Sequence, residues 1–191
     1  MRIAVLALQG DFVEHEAMFG SLGIPSCQLR QKSDLQQDFD ALVLPGGEST
    51  VQGKLLRELD MLDDIRLRIQ DGLPVMATCA GTILLAQEIA NAPAVHLGTL
   101  GISVRRNAYG RQLSSFHTSG TFAGFQDVPM SFIRAPQIDS CIPGVEILAE
   151  YDGKITAIRQ NRQLAMTFHP ELNRDHRIAE YFLREIAGIK Y

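Results

Sequence analysis

Cys79 stands where the apolar run Val75-Met76-Ala77 gives way to Ala80-Gly81-Thr82 and a Leu/Ala-rich stretch. Small residues at Ala77 and Gly81 give the pattern of a nucleophile elbow, a strained strand-to-helix turn that pushes one side chain into a cleft. The amides that open the following helix favour an anionic sulfur. A thiolate nucleophile needs a proton-transfer partner. Of the five histidines, His169 follows the apolar run "QLAMTF" and opens His169-Pro170-Glu171. Pro170 biases His169 toward an extended backbone, and Glu171 can accept the far imidazole N–H and set its orientation. Cys79, His169 and Glu171 therefore supply nucleophile, base and orienter. The bland alternatives are a buried structural cysteine and an ordinary strand-ending turn. A corner cysteine with small neighbours is better explained by exposure with activation.

The segment "PGGEST", residues 45–50, admits two readings. Consecutive glycines expose backbone N–H groups that can hold a developing oxyanion, and a plain turn into a helix capped by Ser49 is equally compatible. The GxxxxGK[ST] spacing of a phosphate loop is absent. Arg106 and Arg134 each lie near an expected loop, where they serve a ligand or stay solvated. Glu14-His15-Glu16 is dismissed as a metal site. Adjacent helical residues face different directions, and no second ligand cluster accompanies them. A solvated or partner-facing helix surface is the expectation there.

These residues need a scaffold. Apolar runs at residues 3–8, 26–29, 41–44 and 75–78 read as strands, separated by helical spacing at 12–22 and 50–71, with a break near 59–63. A helix is expected over 81–90. Alternation of this kind predicts an α/β fold, a mostly parallel flavodoxin-like sheet with helices on both faces. Ligands then bind beyond the carboxyl ends of the strands, where Leu8-Gln9-Gly10, "PGGEST" and "TCAG" all fall. From residue 102 to 168 the segments become short and strand-like, an added antiparallel region. Turn signals stand at 107–110, Pro143-Gly144 and Asp152-Gly153, the last a hairpin signal. A helix over 175–187 closes the chain.

The 191 residues suit a single domain, 1–191, with one large core. With 46% hydrophobic and 21% charged residues, a globular protein is expected rather than a disordered one. The net charge of −4, without a Lys/Arg block, argues against nucleic acid as a partner. The N-terminal apolar run ends too soon for a signal peptide, and no stretch is long enough to span a bilayer. A soluble, cytoplasmic protein is expected. Cys27, Cys79 and Cys141 form no CxxC pair, which argues against a disulfide framework or a structural zinc site.

Taken together, "LQGDFVEHE", "LPGGEST", "TCAGTILLA", "RNAYGRQ", "FIRAP" and "FHPE" resemble, in order and over nearly the whole chain, one family. It is that of the class I, triad-type glutamine amidotransferases that act as glutaminase subunits of pyridoxal 5′-phosphate synthase. The resemblance implies that Cys79 attacks the carboxamide of L-glutamine, that His169 and Glu171 manage the protons, and that no cofactor or metal takes part. It implies Gly46, Gly47, Glu48, Arg106, Ile133 and Arg134 as substrate-binding positions, and the backbone amides of Gly47 and Ala80 as oxyanion donors. It also implies a synthase subunit that receives ammonia, with Gln9, Glu14 and His15 as interface candidates. Three positions depart from the family pattern: Ala77, where glycine is frequent; His117, where an acidic residue is; and Gln137, where histidine is. Another acceptor pathway within the same class, or a flavodoxin-like cysteine redox sensor or chaperone, are the alternatives. Only the last leaves His169 and Glu171 without a role.

Overall fold

The computed structural model describes residues 2–90, 95–106 and 115–188. The strands are β1 (Ile3–Leu6), β2 (Ser26–Leu29), β3 (Ala41–Leu44), β4 (Val75–Thr78), β5 (Ala86–Ala90) and β6 (Leu100–Arg105). They continue with β7 (Ser115–Phe122), β8 (Phe125–Ile133), β9 (Gln137–Cys141), β10 (Glu146–Tyr151), β11 (Lys154–Gln160) and β12 (Gln163–Met166). The α-helices are α1 (Phe12–Ser21), α2 (Ser49–Glu58), α3 (Leu62–Gln70), α4 (Ala80–Leu85) and α5 (Arg177–Tyr181). The order in the main sheet is β2-β1-β3-β4-β12-β11-β9-β6-β5, with β10 also paired to β11.

The first five of those strands run parallel, and from β12 onward the pairing turns antiparallel through β11, β9 and β6. This matches the expected parallel sheet with an antiparallel addition. β7 and β8 form a separate antiparallel pair.

Strand alternation sends neighbours to opposite faces. Ala4, Leu6, Leu42 and Leu44 pack with Leu56, Ile65, Ile69 and Ile83 of α2, α3 and α4. Ile3, Val5, Ala41 and Val43 pack with Met18 and Phe19 of α1 and with Ile178, Phe182 and Leu183 near the C-terminus. Helices therefore cover both faces. Both layers consist of side chains almost wholly removed from water, each Val, Leu, Ile, Phe or Met among them contributing about 1.5–3 kcal/mol relative to exposure.

Several boundaries differ from the sequence reading. The first strand ends at Leu6, and the chain turns away through Ala7 and Leu8. The helix expected over 81–90 stops at Leu85, and Ala86–Ala90 pairs with β6, Ala86 facing Leu100 and Ile89 facing Val104. The Ala-Gln-Glu composition favours helix locally, but burial of Ala86 and Ile89 against the sheet overrides that preference. The closing helix is regular only to Tyr181 and continues in wider turns over Phe182–Ile186. The hairpin at Asp152-Gly153 joins β10 to β11 as expected, and Pro143-Gly144 forms a turn between β9 and β10. The turn signal at 107–110 lies outside the described residues. Among the described residues, no helix is long and apolar enough to cross a membrane.

Candidate active site

Four parallel strands end on one side of the sheet and feed one cavity. β1 leads to Gln9, Gly10 and Asp11; β3 leads to Gly46, Gly47 and Glu48; β4 ends at Thr78 before Cys79; β12 precedes His169. The cavity holds about 330 Å³, the size of a small amino-acid site.

Cys79 has φ +44° and ψ −103°, a backbone that a side chain adopts only under constraint. The constraints are visible. The Cys79 N–H donates to Met166 O at 2.9 Å, and Thr82 Oγ1 donates to the same carbonyl at 2.7 Å. A methyl group on Gly81 would overlap the Leu44 carbonyl, so the turn closes only with glycine there. The elbow is thus as expected, but its cysteine is not exposed. Cys79 is 6% accessible and lines the cavity beside Ala80 and Ile83 of α4 and Ile133 of β8. Its Sγ lies 3.8 Å from the Ile133 carbonyl oxygen.

His169 is anchored by its backbone. Its N–H donates to Ser131 O at 2.8 Å, and its carbonyl accepts from Asn173 Nδ2 at 3.2 Å. Its Nδ1 lies 2.7 Å from Glu171 Oε1. The Glu171 side chain is fully buried. Burial pulls the His169 pKa down, but the neighbouring Cys79 and the hydrogen-bonded carboxylate of Glu171 outweigh it and lift it from 6.5 to about 10. Burial raises Glu171, yet His15 and His169 more than offset this and hold its carboxyl below the ordinary range.

The glycine loop is held close to the triad. Glu48 N–H donates to Gln9 Oε1 at 2.6 Å, and Gln52 Nε2 donates to Gln9 O at 2.9 Å and Pro45 O at 3.2 Å. Gly46 abuts the ring of His169, where a Cβ would collide with Cε1. Ser49, expected to cap α2, is instead its first residue. Glu48 caps it, accepting from Thr50 N at 3.3 Å and Val51 N at 3.0 Å. Its longer side chain can curl back on the helix, and its Oε1, which accepts from Thr50 N, also accepts from Arg106 Nη2 at 2.8 Å. Burial raises the Glu48 carboxyl, but the two backbone N–H groups and Arg106 bring it below its usual value.

The structure brings Cys79, His169, Gly47, Glu48 and Ala80 to the cavity wall, together with Arg106, Ile133, Arg134 and Gln9. Gly46 and Glu171 stand behind that wall. The interface expectations fare unevenly. Glu14 is exposed, whereas Gln9 turns its side chain inward to the glycine loop. His15 is 0% accessible and cannot meet a partner surface in this conformation. It faces inward because α1 presents it, with Met18 and Phe19, to the sheet. Of the departures, Ala77 is fully buried beside the elbow. His117 Nδ1 lies 2.9 Å from Ser131 Oγ, on the residue that anchors His169, and Gln137 Nε2 donates to Asp139 Oδ1 at 3.1 Å.

Asp11 escaped the sequence reading. Its Oδ2 is 3.4 Å from His169 Nδ1. Burial raises its carboxyl, with His169 pulling the other way. Asp11, His169 and Glu171 offer three ligand atoms within 4.8 Å, but Glu171 Oε1 is already engaged by the imidazole. Only its place in "LQGDF", next to Gln9 and Gly10, hinted at it.

The model of the SNO glutamine amidotransferase family matches residues 5–188. The chain is 54% identical over 190 residues to pyridoxal 5′-phosphate synthase subunit PdxT of Desulfitobacterium hafniense, covering 100% of this chain and 96% of that one. It is 50% identical over 188 residues to the protein of the same name from Methanocorpusculum labreanum, covering 98% and 99%. A crystal structure of a glutamine amidotransferase superimposes with a TM-score of 0.92 at 44% identity, covering 98% of this chain and 99% of that one.

Proposed function

The chain belongs to the SNO glutamine amidotransferase family, and from that premise we propose that Cys79, His169 and Glu171 carry its glutaminase chemistry within one domain, 1–191. It is the glutaminase subunit of a pyridoxal 5′-phosphate synthase, in vitamin B6 biosynthesis. The observation that carries the site assignment is the strained Cys79 elbow sharing a cavity with an imidazole oriented by a buried carboxylate at 2.7 Å.

On this reading L-glutamine enters the cavity with its α-carboxylate toward Arg106 and Arg134. Gly47, Glu48 and the Ile133 carbonyl set its position, with Gly46 behind them against the His169 ring. Cys79 Sγ attacks the carboxamide carbon. The oxygen takes up negative charge and is held by the backbone N–H groups of Gly47 and Ala80. His169, protonated at neutral pH by the influence of Cys79 and Glu171, gives its proton to the leaving nitrogen. Ammonia departs and a γ-glutamyl thioester remains. Water then attacks that thioester, with His169 taking its proton, and the thiolate leaves. The balance is glutamine plus water to glutamate plus ammonia.

Ammonia freed into water near neutral pH becomes ammonium and loses its nucleophilicity. Delivery through a docked synthase subunit in a hetero-oligomer follows as the arrangement the chemistry favours. Exposed Glu14 on α1, one helical turn beyond the cavity-lining Asp11, supports a docking face there. Three free cysteines suit a reducing cytoplasm.

The experiment is glutamate release from glutamine with and without the synthase subunit. Strong stimulation by the subunit is expected. Turnover indifferent to it would move the ammonia to another acceptor, and no turnover in either case would overturn the enzyme reading.

A further inference from the structure

The triad accounts for only one oxygen of Glu171. A fully buried carboxylate stays charged only when donors meet it. Oε1 is met by His169. Oε2 makes no ordinary hydrogen bond, and His15 Nε2 lies 3.5 Å from it. The same nitrogen is 3.1 Å from Thr78 Oγ1, on the residue before the nucleophile. His15 comes from α1, Thr78 from the end of β4 and Glu171 from the turn after His169, so one ring from α1 touches two other, separately delivered pieces of the site.

The protonation of that ring follows from its surroundings. Burial pushes the His15 pKa below its ordinary value, against the pull of Glu171, and leaves the imidazole neutral with a single N–H. The charged and titratable groups acting on it are Glu171, His169, Asp11 and Glu14. A lone pair on Nε2 would face the lone pairs of Glu171 Oε2, so the proton belongs on Nε2. Nδ1, on the far side, has no partner. The ring is therefore turned to spend its one donor on the triad side.

We propose that His15 is a positioning residue for the triad, its Nε2–H shared between Glu171 Oε2 and Thr78 Oγ1. It locks the carboxylate behind His169 and ties it to the strand end that carries Cys79. The role rests on the Cys79–His169–Glu171 assignment above. A histidine that merely fills the core would be replaceable by any side chain of similar volume; this one must supply a donor at Nε2.

The test compares His15→Leu, which fills space without a donor, with His15→Gln, whose amide N–H reaches toward the same point. Two rates are read: alkylation of Cys79 by iodoacetamide, followed on its peptide by mass spectrometry, and glutamine turnover in the complex with the synthase subunit. The Leu variant is expected to lower both the alkylation rate and kcat by about tenfold to a hundredfold, as for loss of a hydrogen bond to a charged group. KM stays unchanged, and the Gln variant recovers most of the loss. A folded Leu variant with wild-type rates would overturn the proposal. So would equal losses in both variants, which would mark a packing role. If the Leu variant does not fold, His15→Asn, whose shorter amide falls short of Glu171, takes its place with the same two outcomes. His169→Ala separates this idea from the triad itself. If His169→Ala leaves alkylation unchanged, the triad assignment fails; if it slows alkylation while the His15 variants do not, only the role of His15 fails.

Discussion

Glu171 Oε1 sits 2.7 Å from His169 Nδ1 with only Pro170 between the two residues in sequence. A local turn thus forms the acid–base half of the site. Pro170 opens a single 3₁₀ turn, Pro170–Leu172, that swings the carboxylate back toward the ring. The nucleophile comes from elsewhere: β4 and β12 are neighbours in register, Thr78 beside Met166.

Cys79→Ala should abolish glutamine turnover, by roughly 10⁴-fold or more as for other catalytic nucleophiles. The fold should persist, because alanine fits the space the thiol leaves. Steady-state glutamate release and circular dichroism check the two halves. Residual activity near wild type would remove Cys79 from the mechanism.

Glu171→Gln keeps the shape and removes the charge. Glu171 helps raise the His169 pKa, so its neutralisation lets His169 lose its proton at lower pH. The alkaline limb of the kcat profile should shift down in pH, with kcat reduced about 10²- to 10⁴-fold. An unmoved limb would mean that Glu171 does not set the protonation of His169.

Stability should carry the same signature. His169 is raised from 6.5 in the unfolded chain to about 10 in the fold, so its contribution is complete below pH 6.5 and is lost as pH rises through about 10. The stability difference between wild type and His169→Ala, from urea unfolding, should shrink between pH 7 and 10. A difference that grows over that range would contradict the sign.

Gly81→Ala and Gly46→Ala should fail differently. The first forces a methyl group into the Leu44 carbonyl at a buried turn and should destabilise by about 1–3 kcal/mol. The second presses on the His169 ring at the cavity and should lower kcat with a smaller change in melting temperature. Thermal melts and kcat on both variants distinguish the cases; matching behaviour would undo the contrast.

Arg106→Ala should raise KM for glutamine by about tenfold or more while changing kcat little, since a charge on the α-carboxylate acts in ground and transition states alike. Its 2.8 Å pair with Glu48 is substantially exposed and contributes about 0–1 kcal/mol, so stability should hardly move. Unchanged KM would take Arg106 out of the substrate site.

The amino-acid order by itself determined the local pieces: the β3 and β4 strands, the small-x-Cys-x-Gly corner, the His-Pro-Glu turn and the glycine loop. Each is a matter of neighbours a few residues apart, where apolar period, a missing Cβ or a fixed proline φ leaves a readable trace. Tertiary structure decided what depends on distant pairing. Insertion of β12 beside β4 sets Cys79 against His169 across 90 positions of sequence. Pairing with β6 turned Ala86–Ala90 from the expected helix into a strand. Packing of α1 on the sheet took His15 from an expected surface to the back of Glu171. Spacing along the chain says which face of a helix is apolar; only the packed fold says what lies opposite that face.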